Sequence, residues 1–425
     1  MTPPRRSERD PVLASAFMVG PAREATKGAT RDALRRHKLA TVLRRVHRGG
    51  PQSRSALTAA TGLNRSTIGA LVAELVECGL VEEGEPEATG SAGRPSPLVR
   101  ASTDHVVAAA VDIGTKWLTV AIGGIGGTLV TRVHRETNND GRPYEETIAE
   151  LCDLLDEVVG DLLPTQHLFA VGIAAPGVVR AHDGFVHFAP NLGWREVNLG
   201  ADLAAHLGDD IEVFVANEAH LGARAEHLRG AGAGVEDLIY LSSEIGVGGG
   251  TIIAGRLQLG ADGYSGEIGH IPVNTGPDAT SCRCGSVGCL EAETGALALL
   301  ALTGHQHTDH LSDAVRGIIA TAAAGDEDVQ RSLHEIGVRL GRGLAGMVNL
   351  LNPRRIVLGG YFADAFEFLA AGIDAELAQH TLSPSRSGVT IVPAALQEDS
   401  ALLGALEIAL EPLLLDPARS PAAAA

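Results

Sequence analysis

Four residues in the second half of the chain have the types and spacing to hold a metal ion: His270, Cys282, Cys284 and Cys289, in the pattern His-x11-Cys-x-Cys-x4-Cys. Three thiolates and one imidazole close a tetrahedral shell, which for Zn2+ is the structural rather than the catalytic arrangement. Gly285 and Gly288 allow the loop to wrap tightly around an ion. Cys78 and Cys152 stand apart from this cluster, so the five cysteines do not read as a disulfide framework. They fit a reducing compartment with one metal site; oxidation of the Cys-x-Cys pair is the alternative chemistry.

A different chemistry belongs to the first hundred residues. They carry 16 Lys+Arg against 10 Asp+Glu, whereas the remainder carries 18 against 42, within a net charge of −18. A basic module on an acidic body touches a polyanion locally, because the body repels phosphate. Leu39, Val42, Leu43 and Val46 have helical spacing, and Gly49, Gly50 and Pro51 end that helix. A second helix fits Ser53 to Thr61, with Leu57 and Ala60 inward and Gly62 closing it. Asn64 is an N-cap for a third, whose apolar positions are Ile68, Leu71, Val72, Leu75 and Val76. Short helix, glycine turn and a helix with a polar start make a helix-turn-helix. In that geometry Asn64, Arg65, Ser66 and Thr67 meet double-stranded DNA in the major groove, Arg65 offering a fork to guanine. Strands at Leu80–Glu83 and Pro97–Arg100 form a wing, and its tip, residues 90–95, brings Arg94 to the minor groove or backbone. A helical protein-binding module is the plainer reading, but nine Lys or Arg against two acids over residues 31–76 favour DNA.

Residues 1–30 lack periodicity and read as a flexible tail. The apolar run Val12–Val19 lies between Pro11 and Pro21 and is too short to span a bilayer; no stretch approaches the roughly 18 apolar residues required. A cytoplasmic, nucleoid-associated protein is expected. From Val106 the pattern becomes strands: Val106–Val111, Trp117–Ile122 and Thr128–Arg135, with a glycine turn at Gly123–Gly127. A weaker echo follows at Asp237–Leu241, Thr251–Ile253 and Leu257. Further strands at Ala170–Ala174, Ile211–Val215, Arg355–Leu358 and Val389–Val392 alternate with helical stretches, predicting two related α/β lobes with a ligand cleft between them.

Several motifs in order then resemble the ROK family of bacterial repressors and sugar kinases. They are Asp112-Ile113-Gly114, Ala175-Pro176-Gly177, Asn191-Leu192-Gly193-Trp194, Asn217-Glu218, Gly266-Glu267-Ile268-Gly269-His270, the cysteine loop and Asn352–Gly360, and the resemblance covers essentially residues 31–410. The resemblance implies a winged helix over 31–100 and, over 106–425, a two-lobed actin-like, hexokinase-type (ribonuclease H-like) sensor domain. It also implies a sugar held by Asn217, Glu218, Glu267, His270 and Glu291, with Asn191 a weaker member. His270 would then serve metal and sugar together.

The family's kinases place an aspartate where this chain has Glu218, and a change of about 1 Å can cost on the order of a hundredfold in rate. After the DIG turn come Thr115 and Lys116 instead of Gly and Thr, and the kinases' Gly-Thr-Gly is here Glu244-Ile245-Gly246. An acid and a bulky apolar residue oppose phosphate. The expected function is therefore a sugar-responsive regulator, a repressor of carbohydrate genes without phosphotransfer, binding an inverted-repeat operator as a homodimer or homotetramer. The alternatives are an active ATP-dependent sugar kinase carrying a DNA-binding module, and a constitutive DNA-binding scaffold.

Overall fold

A computed structural model describes residues 31–84, 97–306, 308 and 310–421. The expected tail, the wing tip and Arg94 lie outside these residues.

Three helices, Arg31–Gly49, Arg54–Thr61 and Arg65–Glu77, pack around Leu39, Leu43, Val46, Leu57, Ile68, Val72 and Leu75. The second helix is capped by the Ser53 side chain and ends at Gly62 in the left-handed conformation. The Asn64 side chain caps the third through the Thr67 N–H. Strands Val81–Gly84 and Leu98–Ala101 pair antiparallel, and Gln52–Ser53 adds a third that local alternation is too short to reveal. The unit is a winged helix. Two inward assignments are corrected: Ala60 is exposed and Val76 is 42 % exposed. Ala60 sits about 60° around its helix from Leu57, and Val76 about 90° from the centre of its buried stripe, past the arc that a three-helix core covers.

The body repeats one sheet topology twice. In the first lobe the strands run Glu212–Asn217, His167–Ala175, Val106–Ile113, Trp117–Gly124 and Leu129–Glu136; in the second, Thr390–Pro393, Arg355–Gly360, Leu238–Ser243, Val247–Ile253 and Arg256–Leu257. In both, three strands form an antiparallel meander and two add in parallel. This is the actin-like duplication the strand echo predicts. Gly123 and Gly124 belong to the strand rather than the turn: both stay in register with Val106–Ile113, the register with Leu129–Glu136 shifts between Ile122 and Gly123, and the chain reverses at Ile125–Thr128. A separate sheet, Val178–Arg180, Phe185–Ala189 and Trp194–Val197, carries the Asn191 turn.

The helix Glu218–Arg229 lies between the lobes, against the second lobe's meander and against the last long helix, Ser400–Leu415. That last helix returns to the first lobe, where Gly172 admits it: a Cβ there would stand 1.9 Å from the Ala405 carbonyl oxygen. One apolar cluster runs from the winged helix through this helix into the first lobe, so the two units share a core. No helix among the described residues is long and apolar enough to cross a membrane.

Candidate functional site

The ligand atoms of His270, Cys282, Cys284 and Cys289 lie within 4.8 Å of one another. A tetrahedral ion with sulfur at about 2.3 Å has edges of about 3.8 Å. Cys284 Sγ and Cys289 Sγ are 3.8 Å apart, and Cys282 Sγ is 3.7 Å from His270 Nδ1, so the cluster has the size such an ion needs. His270 ends the short turn Ile268–His270, and Cys289 precedes the helix Leu290–Thr294. Gly288 is required between them. Its φ is +69°, and a Cβ would strike the Asn274 carbonyl oxygen at 1.7 Å.

Glu291, in the first turn of the helix after Cys289, joins this loop to the cleft. Its Oε2 accepts the Val247 N–H at 3.0 Å, and Cys282 Sγ lies 3.7 Å from its Oε1. Gly246 makes room, since a Cβ there would lie 2.3 Å from Glu291 Oε2. Glu267 stands three residues before His270; burial raises its carboxyl, His270 opposes and Glu291 reinforces. Asn217 caps the interlobe helix through the Ala219 and His220 N–H groups. Its Nδ2 donates to the Gly177 carbonyl at 3.0 Å and to Glu218 Oε2 at 2.7 Å. Capping and cleft placement thus coexist in one residue. Asn191 stands across the cleft and accepts from Arg283 Nη1 at 3.0 Å. Arg283 lies between two cysteines of the metal loop, and its position there was the available signal for a bridge from that loop to the other lobe.

The turn at Gly114, which the resemblance assigns to phosphate, is occupied by a side chain. Asp112 accepts the Trp117 indole N–H at 3.0 Å, and that ring occupies the space a Cβ on Gly114 would need, 2.2 Å away. Gly114 N–H is engaged by the Trp117 carbonyl, leaving one fewer backbone donor for an anion. Glu244 is reachable by solvent at the cleft floor but enclosed by protein. Burial, then Asp112 and Glu398, push its carboxyl up to about 7. Glu218 is raised well above the ordinary range by burial and by Glu244, Glu267 and Asp112. Asp112, Glu218, Glu244 and Glu267 thus form an acidic cluster.

A pH dependence follows from Glu244. Its folded-state pKa exceeds its unfolded value, so its contribution to stability is fully present below about pH 4.5 and is lost as pH rises through about 7. Glu244→Gln is therefore expected to raise the melting temperature at pH 8 and to leave it nearly unchanged at pH 4.5. Thermal unfolding at the two pH values checks this, and an equal shift at both would contradict it.

On the winged helix, Asn64, Arg65 and Ser66 are exposed and Thr67 half-buried, all at the start of the third helix. Asn64 Oδ1 accepts both the Thr67 N–H and the Ser66 hydroxyl, so its Nδ2 remains the atom for an outside partner. Arg54, by contrast, is held by Glu83.

A winged helix joined to a duplicated actin-like body, with a polar interlobe cleft beside a Cys/His loop, defines a class of regulator and sugar-kinase folds. The chain belongs to the ROK family, whose model matches residues 108–411. The xylose repressor of Bacillus subtilis is 27 % identical over 376 residues, 88 % of this chain and 94 % of that protein. A solved ROK family transcriptional regulator, described as a homolog of the E. coli MLC protein, superposes with a TM-score of 0.72 at 25 % identity, over 90 % of this chain and 98 % of that one. A ROK family glucokinase from Streptomyces griseus, solved with glucose and AMPPNP, has a TM-score of 0.59 at 27 % identity and covers 71 % of this chain and 98 % of its own.

Proposed function

We propose that this protein is a sugar-responsive transcriptional repressor, in which the winged helix binds an operator and the kinase-like body senses a sugar without phosphorylating it. The observation that carries the reading is the pairing of an exposed, capped recognition helix with a cleft whose nucleotide side presents carboxylates and an indole. The name of the Bacillus subtilis relative and the regulator superposition support it.

The division into a tail at 1–30, a DNA-binding domain at 31–100 and a sensor at 106–425 belongs to this proposal. Arg65, Ser66, Thr67 and Asn64 read bases or phosphates, with Arg94 on the wing. Asn217, Glu218, Glu267, His270 and Glu291 hold the sugar, with Asn191 closing from the opposite lobe. A sugar hydroxyl competes with Glu218 for one Asn217 N–H while the other stays on Gly177, so binding shifts Glu218 without uncapping the helix. Zinc on His270, Cys282, Cys284 and Cys289 fixes the loop that carries Glu291 and Arg283. A homodimer or homotetramer on an inverted repeat supplies the footprint that one winged helix lacks.

The sugar acts only through different affinity for DNA-competent and DNA-incompetent states. Calorimetric titration with a panel of pentoses, hexoses and N-acetylhexosamines, run beside an ATP-consumption assay, tests the reading. Saturable binding of at least one sugar without turnover is expected. Sugar-dependent ATP hydrolysis would overturn it in favour of a kinase carrying a DNA-binding module.

A further inference from the structure

The interlobe helix Glu218–Arg229 begins in the cleft and ends at the winged helix. At about 1.5 Å per residue its 12 residues span roughly 18 Å. Ala219 through Glu226 are all buried. The surrounding backbones press on it closely: Cβ atoms at Gly248 and Gly250 would lie 2.7 and 2.6 Å from Ala219 and Ala223, and one at Gly404 would lie 2.1 Å from the Leu221 carbonyl. Such packing leaves little freedom for the helix to bend or slip independently at its two ends.

At its far end Arg229 enters a joint made by three parts of the chain. Arg229 Nε donates to Glu407 Oε1 at 2.7 Å, and Nη1 donates to the His47 carbonyl at 3.4 Å. His47 belongs to the first helix of the winged unit and is 1 % exposed. Its Nδ1 lies 2.9 Å from the Gly126 N–H, and its Nε2 lies 2.9 Å from Glu407 Oε2 and 2.8 Å from Arg229 Nη2. Arg224, on the same helix, pairs with Glu411 in the core at 2.6 Å. Burial would raise the Glu407 carboxyl, but His47, Arg229 and Arg224 outweigh it and hold it well below the ordinary range. A buried charge with directional partners tolerates small displacements poorly, because a lost partner leaves the others desolvated and unpaired. The joint therefore favours discrete arrangements over continuous adjustment.

We propose that Arg229 is the positioning residue that carries the state of the cleft to the DNA-binding unit, by moving with the helix that Asn217 and Glu218 start and re-partnering His47 and Glu407. The inference rests on the sugar-responsive reading above and adds the route by which the response travels. Arg229 touches neither the cleft nor the recognition helix. Its removal should separate two binding events that the wild type couples.

The test uses the full-length protein and compares wild type with Arg229→Met, which keeps the aliphatic stem, and Arg229→Lys, which keeps the charge but not the fork. Operator affinity is measured with and without whichever of d-xylose, d-glucose or N-acetyl-d-glucosamine the wild type binds, and sugar affinity by calorimetry. For Arg229→Met we expect sugar affinity within about threefold of wild type. We also expect the sugar-induced change in operator affinity to fall from the roughly 5–150-fold range of ordinary allosteric coupling to under about twofold, with Arg229→Lys between. If Arg229→Met fails to fold, His47→Gln takes its place under the same criterion, with Arg229→Lys still expected between it and wild type. A folded variant with wild-type coupling overturns the inference and leaves the proposed function standing. A wild type whose operator affinity ignores every sugar it binds overturns both.

Discussion

If the proposed zinc and sugar sites hold, replacing Cys289 with serine is expected to abolish zinc binding, lower the melting temperature and weaken sugar binding by at least about a hundredfold. Three links support the size of this effect. The sulfur is one of four ligand atoms lying within 4.8 Å of one another, and it sits at the N-cap of the helix that carries Glu291. Losing a site held at a thousand times its dissociation constant removes about 4 kcal/mol of stability, or roughly 6 °C for a body of about 320 residues. Glu291 then loses its fixed position against the Val247 N–H, and Arg283 its reach to Asn191, so the proposed sugar contacts in both lobes loosen together. Metal analysis, thermal unfolding and calorimetry read the three effects separately. A Cys289→Ser protein that keeps one equivalent of zinc and wild-type sugar affinity would contradict this account.

The second large effect concerns DNA. Arg65→Ala is expected to reduce operator affinity by about 5–150-fold, the 1–3 kcal/mol of one good bidentate base contact, while leaving the melting temperature within about a degree. Arg65 opens the third helix and is exposed. The helix keeps its cap because the side chain of Asn64, not Arg65, receives the Thr67 N–H. A base contact and a phosphate contact also differ in their signature. Loss of the former relaxes sequence preference at one position; loss of the latter weakens all sequences alike and lowers the salt dependence by about one counterion. Binding measurements on operators substituted at single positions, repeated at two salt concentrations, distinguish the two. Unchanged affinity in Arg65→Ala would remove this residue from the DNA interface.

What the sequence reveals and what it hides divide along a physical line. The clustering of His270, Cys282, Cys284 and Cys289 was readable because the four fall within 20 consecutive residues. The recognition helix was readable from its apolar period and its cap, and the two lobes from a strand pattern that recurs. Ala60 and Val76 were misplaced because periodicity identifies a stripe but not how wide an arc its partners cover. The joint at His47 was hidden for another reason: its partners Arg229 and Glu407 lie 182 and 360 residues away, and no local pattern links them. Trp117 reads as an ordinary strand residue until its indole is seen covering the Gly114 turn and donating to Asp112. The departures at Glu218, Thr115 and Ile245 pointed towards sensing, and the tryptophan adds a steric argument of its own.

The central claim is that a sugar in the interlobe cleft changes the grip of the winged helix on DNA. Its most direct test is an equilibrium titration of the full-length protein against an inverted-repeat duplex, selected by the protein from a random library, at one fixed salt concentration. The titration is performed with and without a saturating concentration of a sugar that calorimetry has shown to bind. The account predicts a fall in operator affinity of about 5–150-fold on adding the sugar. Identical affinity in its presence and absence, for every sugar that binds, would contradict it.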